Sequence, residues 1–409
     1  MRVEVTVRTA TPSDSTSVVV VVVVIVCLAA LVVVAHARYA DPLTFSADAA
    51  GRRVLSPASE RRIMKAVQFA AHGDRDVVEY GEFPEPDPAD DEVVVDVKSG
   101  ALNHLDVWTR RGLPGIDLEM PHVPGSDAAG VVESTGARVD RFAPGDRVAV
   151  SAGVACGSCE FCRAGDETRC VRFHIIGEHV PGVHAERAAV PADNLVSVPD
   201  GVPWPVAGSA ALVFQTAWRM LHTRAELRQG ESILVLGASG GVGHAAVQIA
   251  DHAGAEVYAT ASSEAKLAHA EDCGADHVLD YSAASVTDWI QAETGKRGVD
   301  VVVDHVGAET WTDSLRSLAK GGRLVTCGAT TGGRPETDIN RIFWNQLEVL
   351  GSTMGTPGEV DDVLSLVWDG TFEPRIRETL PMSEAARAHE LIEGREGFGK
   401  VVVVPDSER

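Results

Sequence analysis

SILVLGASGGVG, residues 232–243, is an apolar run that empties into a glycine-rich turn. The continuation, HAAVQIADHAG, spaces Ala245, Ala246, Ile249 and Ala250 along one face of a helix. Strand, glycine turn and helix N-terminus in this order form the cradle of a dinucleotide-binding Rossmann unit. Gly240 and Gly243 take the second and third glycine places of G-x-G-x-x-G, with Ala238 in the first. With no side chain at Gly240 the backbone can approach a pyrophosphate, which the free N–H groups and positive dipole end of the helix then attract. The whole turn, Gly237, Ala238, Ser239, Gly240, Gly241, Val242 and Gly243, is assigned to cofactor binding.

The downstream sequence repeats the unit. AEVYAT (255–260), DHVLDY (276–281), GVDVVVDHVG (298–307) and GGRLVTCG (321–328) are predicted strands separated by helical segments. Short apolar strands in repeated βα units predict an α/β fold, with a parallel, doubly wound sheet covered on both faces. The end of the second strand selects the cofactor. An NAD site carries Asp or Glu about 20 residues after the turn, on the ribose 2′-hydroxyl. Here Ala261 stands in that place, followed by Ser262, Ser263 and Lys266. Two hydroxyls and an ammonium suit a 2′-phosphate, so NADPH is expected, and Glu264 keeps NADH open.

A second constellation lies upstream. Cys156, Cys159, Cys162 and Cys170 fall within CGSCEFCRAGDETRC, with gaps of two, two and seven residues. Four thiolates at this spacing can converge on one tetrahedral zinc, and four protein ligands leave no position for water or substrate. Such a zinc is structural. Two disulfides or four unrelated thiols are the alternatives, but Cys27, Cys273 and Cys327 are scattered and outline no disulfide framework.

Composition narrows the class. The chain has 409 residues, enough for two cored domains, and its apolar (45%) and charged (23%) contents are those of a globular protein. A net charge of −23 argues against a nucleic-acid partner, which needs a basic face. Only six lysines stand against 30 arginines. An acidic, lysine-poor surface suits a salt-rich cytoplasm, although GC-rich codon usage depresses lysine as well.

The first 63 residues differ from the rest. They carry a charge of +2, which leaves −25 on the remainder, and residues 18–35 are unbroken apolar sequence. Eighteen apolar residues are just enough to span a bilayer, and Ala35-His36-Ala37 resembles a signal-peptidase site. Three readings stay open: translation from a spurious upstream start, a membrane anchor, or an export signal. From Met64 the chain reads as the start of a cytoplasmic enzyme, with two strands and a proline-rich exit. A membrane partner is expected only if 18–35 is an anchor.

The glycine turn and the cysteine lobe together resemble the medium-chain dehydrogenase/reductase superfamily, over about Met64–Pro405. ALNHLDVWTRRG (101–112), PHVPGSDAAGVV (121–132), GDRVAV (145–150), VFQTAW (213–218), IFWNQLEVLGSTMG (342–355) and FGKVVVV (398–404) extend the resemblance. It implies a GroES-like β-rich catalytic domain over 64–212 and 355–409, a Rossmann domain over 213–354, an active site between them, and a homodimer or homotetramer. It also implies where a catalytic zinc would sit. The matching positions hold Asn103, Ser126 and Leu212, with Asp127 beside Ser126, and these do not supply three metal ligands. His104 and His122 offer imidazoles nearby, but His104 is one residue out of register and faces the other way if the segment is a strand. The pattern resembles the zinc-free quinone reductase branch.

Without a Lewis acid, reducing an electron-poor substrate is easier than oxidising an alcohol. The expected activity is hydride transfer from NADPH to a quinone or an α,β-unsaturated carbonyl compound. Asn103, Asp106, Ser126, Gln215 and Thr216 are the expected catalytic residues, and Trp108 and Trp344 are candidate flat walls. The alternatives are an alcohol dehydrogenase with atypical zinc ligands and a non-enzymatic NADPH-binding redox sensor.

Overall fold

The computed structural model describes residues 62–408, preceded by two short backbone strands, Phe45–Ala47 and Arg53–Leu55, that pair antiparallel. The apolar segment 18–35 lies outside the described residues. Among the described residues no helix is long and apolar enough to cross a membrane.

Two sheets organise residues 62–408. The first is parallel and six-stranded, in the order His277–Asp280, Glu256–Ala261, Ser232–Val235, Val299–Val303, Leu318–Thr326, Glu348–Gly351. Numbered along the chain this order is 3-2-1-4-5-6, the doubly wound arrangement. Its strands are apolar almost throughout because helices cover both faces. Ile233, Val235, Val257, Ala259, Val301 and Val303 enter one core cluster, and Leu234, Tyr258, Val302 and Leu324 enter another. Every strand expected downstream of the glycine turn forms, and the turn leads into the helix Gly241–His252. Between the first and fourth strands the chain order reverses, which opens a crevice at their carboxyl ends.

The second sheet is mostly antiparallel and centres on the long strand Glu92–Ala101. Asp127–Thr135 pairs along one side of it. Arg187–Pro191 pairs with its first half, and the C-terminal strand Lys400–Val404 pairs at Gly100 and Ala101. The chain thus returns, after the whole parallel sheet, to complete the sheet it began with. The helix Trp204–Trp218 packs against the second sheet on one side and against the helices Gly241–His252 and Pro357–Trp368 on the other, and the expected domain limit at 212/213 falls inside it.

One local expectation is overturned. The segment holding Asn103 and His104, treated above as a strand, is the helix His104–Arg111 with Asn103 at its N-cap. Asp106, at the third helical position, accepts the Asn103 backbone N–H at 2.7 Å and so satisfies a donor the helix cannot. Successive helical side chains are turned by about 100° rather than 180°, so Asn103 and His104 reach the same crevice.

Candidate functional site

Between the two sheets lies a cleft of about 660 Å³, floored by the glycine turn and walled by the capping helix, the end of the second parallel strand and the segment 395–401. Gly237 makes the turn at φ +62°, a conformation open to glycine at no steric cost. Gly243 lies behind it: a Cβ there would sit 2.3 Å from the Gly237 carbonyl, so helix and strand approach as they do only without a side chain. Gly237, Ser239, Gly240, Gly241 and Val242 line the cleft, while Ala238 and Gly243 support the turn from beneath.

Beyond the far end of the second strand the cleft wall is basic. Lys266, Arg377 and Arg395 all line the cleft there. Lys266 donates to Ser262 Oγ at 2.9 Å and to the Arg395 carbonyl at 2.7 Å. Burial lowers the Lys266 pKa, and Arg377 lowers it further, with Glu396 opposing. Ser263 instead takes the N-cap position of the helix Glu264–Asp272, and Glu264 is exposed outside the cleft wall. Arg377 and Arg395, more than 110 residues away in the chain, carried no local sign of this role.

The residues expected to be catalytic separate. Asn103 and Thr216 line the cleft. Asp106 is fully buried behind them and bonds to the backbone N–H of Asn103 and of Gly125, at 2.7 and 3.0 Å. Ser126 turns away and donates to the Ile176 carbonyl at 2.7 Å. Gln215 is buried with its Oε1 3.5 Å from Ser151 Oγ, outside the cleft lining. Trp108 lines the cleft, whereas Trp344 is 75% exposed elsewhere.

Sequence reasoning missed the centre of the site, Lys400. Its ammonium, buried at 3% exposure, donates to Asn103 Oδ1 and, at 3.0 Å, to Asp127 Oδ2. The other Asp127 oxygen accepts the Leu212 backbone N–H at 2.9 Å, and Asn103 Nδ2 donates to Oδ2 at 2.9 Å. The positions that a catalytic zinc's ligands would occupy are thereby closed. One is apolar, one is turned to a backbone carbonyl, and the third is saturated by a buried cation. His122 is spent on the Gly177 carbonyl at 3.0 Å. The residues present do not fit a metal in this cleft.

Two imidazoles remain. His104 lines the open cleft cavity, solvent-accessible there, and the surrounding walls partly desolvate the ring. With His305, Arg395 and Lys400 also opposing a positive charge, its pKa falls to about 4. It is therefore neutral at physiological pH, with one N–H to give. His305, also lining the cleft, has a buried Nε2 with no hydrogen-bond partner in the structure.

The cysteines do come together. Among the described residues, Cys156, Cys159, Cys162 and Cys170 are the one group of potential ligands brought together, their sulfurs all within 4.8 Å. Cys159 and Cys162 sulfurs lie 3.4 Å apart, far beyond the roughly 2.05 Å of a disulfide. The backbone N–H groups of Cys156 and Arg172 point at Cys170 Sγ, at 3.2 and 3.3 Å, a pattern that suits thiolates. Arg172 and Ser158 hold the Cys156 thiol down at about 4. Asp166, inside the lobe, pairs at 2.6 Å with buried Arg219, which also pairs at 2.9 Å with Glu359. Arg219 directly follows the helix carrying Leu212 and Thr216, so the lobe braces that helix.

Glu178 adds a pH-dependent element. Burial, then the Asp106 carboxylate, raises its pKa from 4.5 to about 7. A raised carboxyl pKa means the folded state holds a proton that the unfolded state has lost. Its stabilisation is complete below pH 4.5 and disappears as pH rises through 7. Glu178→Gln is expected to flatten the fall in unfolding midpoint between those values. An unchanged pH profile of thermal unfolding would show that Glu178 does not titrate there.

The family described as "Zinc-binding dehydrogenase" matches residues 241–369, and "Alcohol dehydrogenase GroES-like domain" matches 89–200. The acryloyl-coenzyme A reductase of Sulfurisphaera tokodaii is 31% identical over 346 residues, covering 84% of this chain and 100% of that one. The quinone oxidoreductase of Pseudomonas aeruginosa is 32% identical over 355 residues, covering 83% and 99%. A solved structure of an NAD-dependent alcohol dehydrogenase is 40% identical, covers 83% of this chain and 99% of its own, and superposes with a TM-score of 0.81. With its doubly wound sheet, GroES-like partner and interposed cleft, the chain belongs to the medium-chain dehydrogenase/reductase superfamily of oxidoreductases.

Proposed function

We propose that this chain reduces a quinone or an α,β-unsaturated carbonyl compound with NADPH, without a metal in the active site. The observation that carries the reading is the Lys400 ammonium joining Asn103 to Asp127 beside Leu212, where metal ligands would otherwise stand. The likeness to an acryloyl-coenzyme A reductase and a quinone oxidoreductase supports the substrate class.

NADPH supplies the hydride. The Gly237–Gly243 turn and the helix behind it would receive the diphosphate, and Ser262, Lys266 and Arg377 would receive the 2′-phosphate. A lysine whose charge is opposed by a neighbouring arginine gains most from a phosphate placed between them. The substrate lies against Trp108, with its carbonyl oxygen near His104 and Thr216. As hydride reaches the β-carbon or the quinone ring, negative charge grows on that oxygen. Neutral His104 and the Thr216 hydroxyl can each donate a hydrogen bond to it without carrying a charge of their own. Solvent then delivers the proton. Asn103 and Asp106 act by positioning, since their polar atoms are engaged within the protein.

We assign one zinc to Cys156, Cys159, Cys162 and Cys170, as a brace for the helix Trp204–Trp218. The domain limits follow the earlier reading, 64–212 with 355–409 around 213–354, with the helix Trp204–Trp218 shared. A homodimer or homotetramer and a cytoplasmic location accord with the same reading.

Alcohol oxidation is the second reading, favoured by the 40% identity to an alcohol dehydrogenase. Steady-state assays separate the two: NADPH oxidation with 1,4-benzoquinone and an enoyl thioester, against NAD⁺ or NADP⁺ reduction with primary and secondary alcohols. Turnover with alcohols alone would overturn the proposal.

A further inference from the structure

We propose that a groove on the parallel-sheet half, separate from the cofactor cleft, binds a small diphosphate-class anion. The groove runs between the helices Val286–Glu293 and Ile339–Asn345, has a volume of about 320 Å³, and shares no lining residue with the cleft. Five cations line it: Lys296, Arg297, Arg316, Lys320 and Arg341. No carboxylate does, although the chain carries 59 acidic residues.

The distribution of lysine strengthens the point. Of six lysines in the chain, Lys65 and Lys98 pair with surface carboxylates. Lys266 and Lys400 line the cofactor cleft. The remaining two, Lys296 and Lys320, both line this groove. An acidic chain with so few lysines has concentrated four of them in two concave sites.

The cations differ in what they have left to offer. Arg297 is paired with Asp300 at 2.5 Å. Arg341 spends two guanidinium nitrogens on the carbonyls of Leu315 and Arg316, both at 2.7 Å. Lys296, Arg316 and Lys320 have no ion pair or side-chain hydrogen bond among the described residues. Three exposed positive charges without an ion pair thus line one concavity, with a fourth partly free. Burial and then Arg316 lower the Arg341 pKa, with Asp338 opposing.

Charge and size define the ligand. Three free cations complement an anion of about three negative charges, and the volume lies at the small end of the roughly 300–1,000 Å³ typical of ligand sites. Arginine forks and lysine ammonium groups together match a diphosphate, whose oxygens accept several charge-assisted hydrogen bonds. Neither an apolar effector nor a divalent cation finds a partner here.

The test is calorimetric titration of the full chain, already saturated with NADP⁺ so that the cofactor cleft is filled, using inorganic pyrophosphate at constant ionic strength. The expected result is one saturable site per chain with Kd below about 1 mM. Lys296→Gln/Lys320→Gln should weaken it at least about tenfold, since each lost charged hydrogen bond costs enough for such a factor. Arg316→Gln, tested separately, should weaken it in the same direction. Neither variant touches the cleft or the cysteine lobe, so NADPH affinity and zinc content should stay at wild-type values, which certifies the fold. Absence of saturable binding to the wild-type chain would overturn the proposal. So would equal affinity in the variants, which would place the anion outside this groove.

Discussion

Lys400→Met is expected to destabilise the protein by about 3–5 kcal/mol, the cost of removing one partner of a buried ion pair. Methionine matches the lysine stem in length, so packing is largely kept. The loss comes from Asp127, 1% exposed, whose Oδ2 would keep only the Asn103 amide. Asn103 Oδ1 would lose its donor as well. Lys400→Met/Asp127→Asn should recover much of the stability, because no uncompensated charge then remains. Urea unfolding of the wild type, both single variants and the double variant completes the cycle. A coupling near zero would mean that the ammonium is not seated on Asp127, and the argument for a closed metal position would fall with it.

The second large effect concerns the cofactor. Lys266→Ala/Arg377→Ala is expected to raise the KM for NADPH about 100-fold and leave the KM for NADH nearly unchanged. Each charge-assisted contact to a phosphate contributes about 1.5–3 kcal/mol, and a factor of 100 needs about 2.7 kcal/mol. Unchanged kcat with NADPH at saturation would locate the loss in binding rather than in hydride transfer. The variant also gives up the Lys266 bonds to Ser262 Oγ and the Arg395 carbonyl and the Arg377 bond to the Leu391 carbonyl, so its unfolding midpoint is measured alongside. Equal losses for NADPH and NADH would show that these cations do not read the 2′-phosphate.

How much of this could be read from the chain depends on range. The glycine turn and the cysteine lobe were legible because each is contiguous and its chemistry is fixed by local spacing. The parallel sheet was legible because strands covered on both faces are apolar throughout. Orientation was harder. Ser126 and Asp127 are neighbours at the start of one strand, where successive side chains take opposite faces. Asp127 enters the cleft junction, and Ser126 turns to Ile176. Gln215 and Thr216 divide in the same way on a helix, and only Thr216 reaches the cleft.

His104 was set aside because its segment was read as a strand. The cap made by Asp106 turns that segment into a helix and brings the imidazole to the cleft. Lys400 was beyond local reasoning altogether. It lies 297 residues from Asn103, and only the return of the C-terminal strand to Gly100 and Ala101 brings the two together. Arg377 and Arg395 reach Lys266 by the same return of the chain.

On the reading proposed above, this enzyme holds one structural zinc and its active site works without a metal. Zinc content per chain, by elemental analysis of the full-length protein purified without chelator, separates this from a second, catalytic metal. One zinc per chain is expected, held by Cys156, Cys159, Cys162 and Cys170. Two zincs per chain would place a metal in the cleft beside Asn103 and Asp127, and would contradict it.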